Sequence, residues 1–238
     1  MQRILGQMRR AIEDYNMIED GDKIAVALSG GKDSVTLLYA LKKLQRFNPK
    51  HFEMIAISIN PGFEKFDEKI LKNICKDAGV ELVIIPTNIK QIVFDERKEK
   101  NPCSLCANLR RGILNSTAKK YGCNKIALGH NEDDVLETYL MNTLYAGNIS
   151  TFSPISYMDK SEMTLIRPLV YVMEKQTKSF IKKNNIEIMS KACPMDGNST
   201  REYALQLLKQ LEIHNKQTRS NLIGAIKRAK LNGWKETC

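Results

Sequence analysis

Short apolar runs alternate with stretches of helical periodicity along most of the chain. Residues 24–28, 54–59 and 82–85 have the composition of buried strands, and the stretches between them repeat apolar residues at helical spacing. A second half repeats this order, with strand-like runs at residues 125–128 and 165–167. Because parallel strands need crossover helices, the alternation predicts an α/β fold with a doubly wound, mostly parallel sheet. Such a sheet binds its ligands beyond the carboxyl ends of its strands.

Helical patterns without strands flank this alternating region. Residues 1–20 repeat apolar side chains every three or four positions, which predicts an N-terminal helix. Residues 199–238 have the pattern of C-terminal helices, with a break near His214. A chain of 238 residues is long enough for one domain with a helical appendage. We therefore assign residues 21–198 to the main domain and residues 199–238 to a basic helical tail.

Positive charge exceeds negative charge in this chain, with 37 Lys and Arg against 27 Asp and Glu, a formal net charge of +10. The tail of residues 199–238 holds eight of the basic residues and three Glu, and residues 103–131 hold five basic residues and no acidic one. Such segments favour a nucleic acid partner, although solvated Lys and Arg on helix faces give the same pattern. The expected phosphate contacts are Arg110, Arg111, Arg219, Lys227, Arg228 and Lys230.

Cysteine usage and hydropathy predict a protein of the cytoplasm. The chain has six cysteines, and charged side chains interrupt residues 1–18, so a secretory leader is not expected. The longest uncharged stretch, residues 138–158, contains Asn, Gly and Pro, which a membrane-spanning helix tolerates poorly. We therefore expect a soluble, cytoplasmic protein that has no membrane partner.

The strand-like run of residues 24–28 leads directly into a glycine-rich loop and an apolar helix. The loop consists of Ser29, Gly30, Gly31, Lys32, Asp33 and Ser34. Glycines let a backbone approach an anion, the start of a helix offers unpaired N–H groups, and Lys32 adds a positive charge. Val26 occupies the position at which a Walker A loop requires glycine, and the sequence contains no G-x-G-x-x-G motif. The loop predicts a pyrophosphate cradle, with a glycine-rich turn capped by Ser and Asp as the alternative.

This loop resembles the PP-loop of the ATP pyrophosphatases, a family that cleaves ATP between the α and β phosphates and transfers AMP. The resemblance implies the PP-loop ATPase fold, which is adenine nucleotide alpha hydrolase-like, and ATP bound at residues 29–34. The β and γ phosphates are then held in the loop. The resemblance also implies catalytic roles for Lys32 and Asp33, and a role for Asp33 in holding Mg²⁺.

A second polar loop follows the strand-like run of residues 125–128. It contains Gly129, His130, Glu132, Asp133 and Asp134. Two adjacent carboxylates at the carboxyl end of a strand can hold Mg²⁺ together with substrate phosphates. Acidic residues are equally suited to the start of a helix, where they cap the helix and interact with its dipole. The residues alone leave both interpretations open.

The same loop is similar to the G-H-x-x-D-D-x-x-E-T pattern of PP-loop enzymes that modify tRNA. The fixed positions are occupied by Gly129, His130, Asp133, Asp134, Glu137 and Thr138. The resemblance implies that Gly129 and His130 line the ATP cleft. It also implies that Asp133 and Asp134 hold Mg²⁺, Asp133 with a catalytic role. Arg167 lies in an Arg-Pro-Leu sequence that also resembles this group, and it is implied to contact a phosphate of ATP.

Cys103 and Cys106 form a C-x-x-C pair at the start of a predicted helix, and Cys193 lies in a predicted loop. A structural zinc site usually needs four protein ligands, and the sequence has no second C-x-x-C or C-x-x-H. Three thiolates instead suit an iron-sulfur cluster with one open iron, which can carry a substrate atom. Zinc with Cys123 or His130 as the fourth ligand is the alternative. The remaining cysteines are interpreted as packed or uninformative thiols: Cys75, Cys123 and Cys238.

The C-x-x-C pair and the Leu-Arg-Arg-Gly-Ile-Leu sequence of residues 109–114 resemble the tRNA 2-thiocytidine synthetase family, as does Asn-Met-Ile-Glu at residues 16–19. The resemblance covers residues 11–196. It implies a four-iron four-sulfur (4Fe-4S) cluster held by three cysteines, Cys103, Cys106 and Cys193. The implied reaction adenylates the C2 carbonyl of a cytidine at position 32 of tRNA with ATP and replaces the oxygen with sulfur.

The predicted partners are tRNA and a sulfur donor, either a cysteine desulfurase or inorganic sulfide, with a homodimer as a further expectation. Many family members have a second C-x-x-C where this chain has the single Cys193 in Cys-Pro-Met-Asp. This departure leaves the target base open, so 2-thiolation of a uridine is one alternative. A lysidine-type reaction, in which an amino acid is the nucleophile, is another. A zinc-containing RNA-binding protein without catalysis is the alternative from a different class.

Overall fold

A six-stranded sheet forms the centre of the computed structural model, which describes residues 1–64, 66–97, 102–190 and 200–236, with only the backbone at 200–202. Its strands are β1 (Asp22–Ala27), β2 (Phe52–Asn60), β3 (Glu81–Pro86), β4 (Lys125–Ala127), β5 (Ile155–Met158) and β6 (Met163–Ile166). Their order is β3-β2-β1-β4-β6-β5, and all described neighbours are parallel except β5 and β6. The predicted doubly wound, mostly parallel α/β sheet is confirmed.

Helices connect the strands and flank the sheet. In the described residues they are α1 (Gln2–Asp14), α2 (Lys32–Leu44), α3 (Glu68–Ala78), α4 (Pro102–Lys120), α5 (Glu132–Tyr145), α6 (Glu174–Lys183), α7 (Thr200–His214) and α8 (Thr218–Arg228). A π-helical segment, Gln91–Glu96, and a 3-10 turn, Leu231–Gly233, complete the regular structure. The predicted N-terminal helix and C-terminal helices are therefore confirmed as α1, α7 and α8.

Local signals explain where individual helices begin and end. At the start of α3 the Asp67 side chain accepts the Lys69 N–H at 2.8 Å, which satisfies one of the unpaired donors of the first turn. At its end Gly79 has a φ of +63°, a left-handed conformation that a glycine adopts without strain. Between these caps the side chains of Leu71, Ile74 and Cys75 are buried.

β1 and β4 lie side by side at the centre of the sheet, with Val26 paired with Ala127. β2 and β3 extend the sheet on one side, and β6 and β5 extend it on the other, so the strand order reverses between β1 and β4. A crevice forms at such a reversal, beyond the carboxyl ends of the two strands. The two loops identified in the sequence leave from these ends, because α2 begins at Lys32 and α5 begins at Glu132.

The antiparallel edge strand β5 was not predicted from the sequence. It lies within the uncharged stretch of residues 138–158, and its pairing with β6 runs from Ile155 opposite Ile166 to Met158 opposite Met163. Its four residues are half-buried or exposed, so the strand lacks the continuous apolar run that identifies β1 and β2. A segment this short gives no recognisable alternation.

The terminal helices share a hydrophobic core with the sheet. Met8 of α1 and Ile226 of α8 are fully buried and belong to the same cluster of apolar side chains. Trp234 is 1% exposed, and its indole N–H donates to the Phe152 carbonyl at 2.9 Å. The tail assigned to residues 199–238 is therefore packed into the main body over its described residues, while the domain boundaries stay predictions.

None of the helices in the described residues is long and apolar enough to cross a membrane. The longest of them, α4, has 19 residues and includes Arg110, Arg111, Lys119 and Lys120. The expected cytoplasmic location stays a prediction.

Candidate active site

The first loop makes a tight turn between β1 and α2. The hydroxyls of Ser29 and Ser34 lie 3.0 Å apart, and the Ser29 N–H donates to Ser34 Oγ at 3.2 Å. Gly30 has a φ of +79°, which favours glycine over residues with a side chain. Gly31 is the N-cap of α2, and the first turn of a helix leaves backbone N–H groups unpaired. The loop therefore has a backbone geometry suited to a pyrophosphate.

The second loop passes against the first with no room for a side chain. A Cβ atom on Gly129 would lie 3.0 Å from the backbone nitrogen of Ser34 and 3.1 Å from the carbonyl carbon of Asp33. Both atoms belong to backbone, so one loop would have to move to relieve these contacts. Gly129 thus sets the separation of the two loops.

Replacing Gly129 with alanine is expected to raise the Kd for ATP about tenfold, because small displacements of binding groups cost affinity and rate. Isothermal calorimetry measures this constant, and thermal unfolding checks that the variant is folded. Gly6→Ala is the matched control, since no atom outside the neighbouring backbone of its own helix lies within 4 Å of the added Cβ there. An unchanged Kd in folded Gly129→Ala would contradict the role given to the loop contact.

Both loops line a cavity of about 450 Å³ at the strand reversal. The two loops contribute Ser29, Asp33, Ser34, Gly129 and His130 to the polar lining, and α4 contributes Asn115. The apolar lining includes Ile57, Ile59 and Leu165 from the strands, and helix α4 contributes Arg110 and Arg111. Ligand sites typically combine an apolar lining with a few polar groups that fix orientation. This cavity is suited to a nucleotide, whose base takes the apolar part and whose phosphates lie against the first loop.

The Lys32 ammonium lies between two carboxylates. Its Nζ is 2.9 Å from Asp33 Oδ2 and 2.9 Å from Glu174 Oε1. Burial lowers the pKa of Lys32, but hydrogen bonds and charges from Glu174 and Asp33 outweigh burial, so the pKa is raised above its usual value. The Thr177 hydroxyl donates to Asp33 Oδ1 at 2.6 Å and holds that carboxylate from its other oxygen. Lys32 is therefore a charged group in a defined position.

Glu174 and Thr177 were missed in the sequence analysis. Both lie in the first turn of α6, and Thr177 is fully buried. Helical periodicity identifies α6, but it does not identify a partner such as Asp33, 144 residues earlier in the chain. The one available signal is the position of α6 after the carboxyl end of β6, where parallel sheets place functional residues.

Asp133 and Asp134 lie in the first turn of α5, and both carboxylates accept hydrogen bonds from other residues of the chain. Asp133 Oδ1 is 2.9 Å from Arg219 Nη2, and Asp133 Oδ2 accepts the Glu174 N–H at 2.6 Å. Asp134 Oδ2 accepts the Asn131 N–H at 2.8 Å, and Asn131 Oδ1 accepts the Asp134 N–H at 3.2 Å. This reciprocal pair is a capping box. Asp134 thus caps the helix, and magnesium binding by the aspartates stays a prediction.

His130 and Arg167 both pack against the Phe152 ring. The His130 ring centroid is 5.0 Å from that of Phe152, and Arg167 Cζ is 5.1 Å from the same centroid. Arg167 is 8% exposed, and its Nη1 donates to the Ser153 carbonyl at 2.7 Å. Burial, followed by the positive charge of Arg111, lowers the pKa of Arg167 to about 10. Arg167 is therefore not part of the cavity lining and packs on Phe152, which also contacts His130 of the lining, and its contact with a phosphate stays a prediction.

Cys103 and Cys106 lie about one turn apart at the start of α4. Cys103 is exposed and Cys106 is half-buried. Residues three apart on a helix share a face, so the two thiols can reach one metal site. Arg110 and Arg111 follow on the same helix and line the cavity. Among the described side chains no group of three or more is suited to hold a metal, and the third predicted ligand, Cys193, lies outside the described residues.

The other cysteines differ from this pair. Cys75 and Cys123 are buried, and burial raises the pKa of both thiols, that of Cys75 to about 11. A thiol with a raised pKa is protonated near neutral pH and is a poor metal ligand. This agrees with their interpretation as packed thiols, whereas Cys238 lies outside the described residues.

Comparison with known proteins identifies the family. A family model described as the PP-loop domain matches residues 3–211. The tRNA-cytidine(32) 2-sulfurtransferase of Geotalea uraniireducens (strain Rf4) is 39% identical over 227 residues, which cover 94% of this chain and 90% of that protein. The protein of the same name from Syntrophotalea carbinolica is 40% identical over 220 residues, which cover 91% of this chain and 85% of that protein.

Solved structures share the fold. The U34-tRNA thiolase NcsA from Methanococcus maripaludis, solved with its 4Fe-4S cluster, superposes with a TM-score of 0.76 at 24% identity and covers 94% of this chain and 77% of that one. The NH3-dependent NAD synthetase from Campylobacter jejuni gives a TM-score of 0.53 at 16% identity, covering 95% and 91%. Since the family model matches most of the chain and relatives at 39% and 40% identity cover nearly all of it, the chain belongs to the PP-loop family and, within it, to the tRNA-cytidine(32) 2-sulfurtransferases.

Proposed function

We propose that this chain is an ATP-dependent tRNA thiolase, which adenylates the C2 carbonyl of cytidine 32 and replaces its oxygen with sulfur. The observation that carries the proposal is the cavity, because both loops after β1 and β4 line it together with helix α4. Helix α4 also carries the thiols of Cys103 and Cys106 and the cations of Arg110 and Arg111. The relatives are named for cytidine 32 as their substrate.

ATP fits this cavity with its phosphates at residues 29–34. Backbone N–H groups at the start of α2 and the Lys32 ammonium offset the negative charge of the phosphates. Lys32 carries that charge throughout the neutral pH range, because Glu174 and Asp33 raise its pKa. Preorganised positive groups of this kind supply a large share of the stabilisation in phosphoryl and nucleotidyl transfer.

Adenylation converts the oxygen of the base into part of a leaving group. The C2 carbonyl oxygen of cytidine attacks the α phosphorus of ATP, and the bond to pyrophosphate breaks. A sulfur nucleophile then adds to C2, and AMP leaves with the oxygen. Arg111, which lines the cavity, and Lys32, which contacts Asp33 of the lining, offset the charge that develops on the phosphates.

The sulfur site is assigned to Cys103, Cys106 and Cys193. When bound, a cluster held by three thiolates leaves one iron open to carry sulfide. The first two thiols fit this role, because they lie about one turn apart at the start of α4 and can reach one metal site. Met189, four residues before Cys193, donates its N–H to the Gly30 carbonyl at 3.0 Å, and four residues span at most about 14 Å. This hydrogen bond and the short chain length between Met189 and Cys193 support Cys193 as the third ligand.

A cysteine desulfurase or inorganic sulfide supplies the sulfur in this proposal, and the homodimer also stays a prediction. No contact within the described residues identifies the sulfur donor or a dimer interface. Sedimentation of the purified protein measures the oligomeric state, and labelled sulfide or labelled cysteine with a desulfurase identifies the donor.

tRNA is proposed to contact helix α4 and the basic end of the tail. Arg110 and Arg111 line the cavity, and Arg228 and Lys230 are exposed. Arg219 was expected to join them, but its side chain is 11% exposed and contacts three carboxylates, so that expectation is wrong for this residue. The proposed surface therefore excludes Arg219.

Replacing Arg228 and Lys230 with glutamine is expected to weaken tRNA binding about tenfold at moderate salt, because each phosphate contact releases counterions. The slope of log affinity against log salt should fall by about 2 for the two lost contacts. Filter binding over a salt series measures both quantities. Lys43→Gln, an exposed lysine on α2, is the matched control. Unchanged affinity and slope would favour solvated helix faces.

Anaerobic reconstitution with ATP, Mg²⁺, sulfide and tRNA transcripts tests the proposed function. The expected products are AMP, pyrophosphate and 2-thiocytidine in equal amounts, formed with cytidine at position 32 and not with uridine there. A thiolated uridine would favour the uridine alternative, and an amino acid joined to the base would favour lysidine-type chemistry. Stoichiometric zinc without ATP turnover would support an RNA-binding protein instead.

A further inference from the structure

A largely buried ion cluster joins the C-terminal helix α8 to the second loop. The Arg219 guanidinium is 3.3 Å from Glu132 Oε1, 2.9 Å from Asp133 Oδ1 and 3.2 Å from Glu212 Oε1. The side chains of Arg219 and Asp133 are each 11% exposed, and that of Glu132 is 12% exposed. These four residues are called the Arg219 cluster below. Two of them come from the tail and two from the start of α5, regions that are far apart in the sequence.

Asp133 connects the Arg219 cluster to the first loop through Glu174. One oxygen of Asp133 contacts Arg219, and the other accepts the Glu174 N–H at 2.6 Å. The Glu174 carboxylate contacts Lys32 Nζ at 2.9 Å. Two residues therefore separate Arg219 from the ammonium that is proposed to bind the phosphates of ATP.

The three carboxylates of the Arg219 cluster need the positive charge of the guanidinium to stay close together. Three carboxylates meet there, and one guanidinium compensates them. Burial raises the pKa of Glu132 to about 7, and the charge and hydrogen bond of Arg219 act in the opposite direction. A buried carboxylate that loses its cationic partner is left as an uncompensated charge and turns toward water. Such a movement of Asp133 weakens its hydrogen bond to the Glu174 N–H.

A second contact of the tail ends at the same cavity. The Trp234 indole donates to the Phe152 carbonyl at 2.9 Å, and the Phe152 ring packs against His130, which lines the cavity. Trp234 and Ile226 are both fully buried in the core that also contains residues of α2. Helix α8 and the residues that follow it are therefore held against the second loop at two places.

We propose that Arg219 is a positioning residue of the ATP cleft, which holds Asp133 and, through it, Glu174 so that Lys32 is placed for the phosphates. Arg219 contacts neither ATP nor the base and acts through the second loop. The inference rests on the proposed ATP-dependent function. It makes helix α8 part of the ATP site, in addition to any contact that the tail makes with tRNA.

ATP binding without tRNA tests this role. We expect Arg219→Gln to raise the Kd and the KM for ATP about tenfold, while the rate at saturating ATP stays close to that of the wild type. Arg219→Lys keeps the charge but lacks the planar guanidinium that contacts several carboxylates at once. Its Kd for ATP should therefore lie between those of the wild type and Arg219→Gln. The matched control is Lys209→Gln, an exposed lysine on α7, which should bind ATP like the wild type.

A double-mutant cycle shows whether the effect passes through the second loop. If Arg219 acts by holding this loop, Glu132→Gln combined with Arg219→Gln should bind ATP no more weakly than Arg219→Gln alone. Additive losses would overturn the proposal, as would a folded Arg219→Gln with the Kd of the wild type. If Arg219→Gln does not fold, Arg219→Lys decides, because an unchanged Kd in that variant also overturns it. Wild-type protein that fails to bind ATP would instead contradict the proposed function itself.

Discussion

Replacing Lys32 with alanine is expected to lower the rate of AMP formation by about 100-fold or more, because a preorganised cation at the phosphates is lost. The change also leaves the carboxylates of Asp33 and Glu174, each 2.9 Å from Nζ, without their shared ammonium. Their negative charges then oppose the phosphates of ATP. The measurement is AMP release from ATP in the presence of tRNA.

Lys178→Ala is the control for Lys32→Ala. Lys178 contacts the other oxygen of the Glu174 carboxylate at 2.7 Å, yet its side chain is 60% exposed and it lies outside the first loop, whereas the Lys32 side chain is 26% exposed. Its loss should leave AMP formation close to the wild-type rate. Full activity in a folded Lys32→Ala variant would refute the assignment of residues 29–34 as the phosphate site.

Replacing Cys103 or Cys106 with serine is expected to remove the iron-sulfur cluster and thiolation together. The hydroxyl of serine is a poor ligand for iron in such clusters, which depend on soft thiolates. ATP binding should be largely kept, because neither thiol is among the residues that line the cavity. The measurements are visible absorption, iron and acid-labile sulfide under anaerobic conditions, and thionucleoside formation.

Cys75→Ala and Cys123→Ala are the controls for these two variants. Both thiols are buried and have raised pKa values, so they should contribute nothing to the cluster. The cluster absorption should therefore remain in both. Wild-type protein with stoichiometric zinc and no acid-labile sulfide would end the cluster hypothesis and favour the zinc alternative.

The parts of the site that could be predicted from the sequence are those specified locally. The loop of residues 29–34 is recognisable because a strand, two glycines and a helix start stand next to each other in the chain. The second loop is recognisable for the same reason, with Gly129 directly after a strand and Asp134 in a capping box with Asn131. In both loops the backbone geometry depends on residues within a few positions.

The parts that could not be predicted depend on tertiary packing. Glu174 and Arg219 reach the site from α6 and α8, and Arg219 pairs with Glu132 across 87 positions of sequence. A basic helix at the end of a basic chain is expected to face solvent, and only the fold shows that Arg219 turns inward. The edge strand β5 was missed because it is short and only partly buried.

Nucleoside mass spectrometry of tRNA from cells that lack this gene tests the central claim most directly. The account predicts that 2-thiocytidine disappears from the tRNA and that other thionucleosides remain. The wild-type gene should restore 2-thiocytidine, and genes that encode Lys32→Ala or Cys103→Ser should not. Unchanged 2-thiocytidine in the deletion strain, with or without loss of another modified base, would contradict the account.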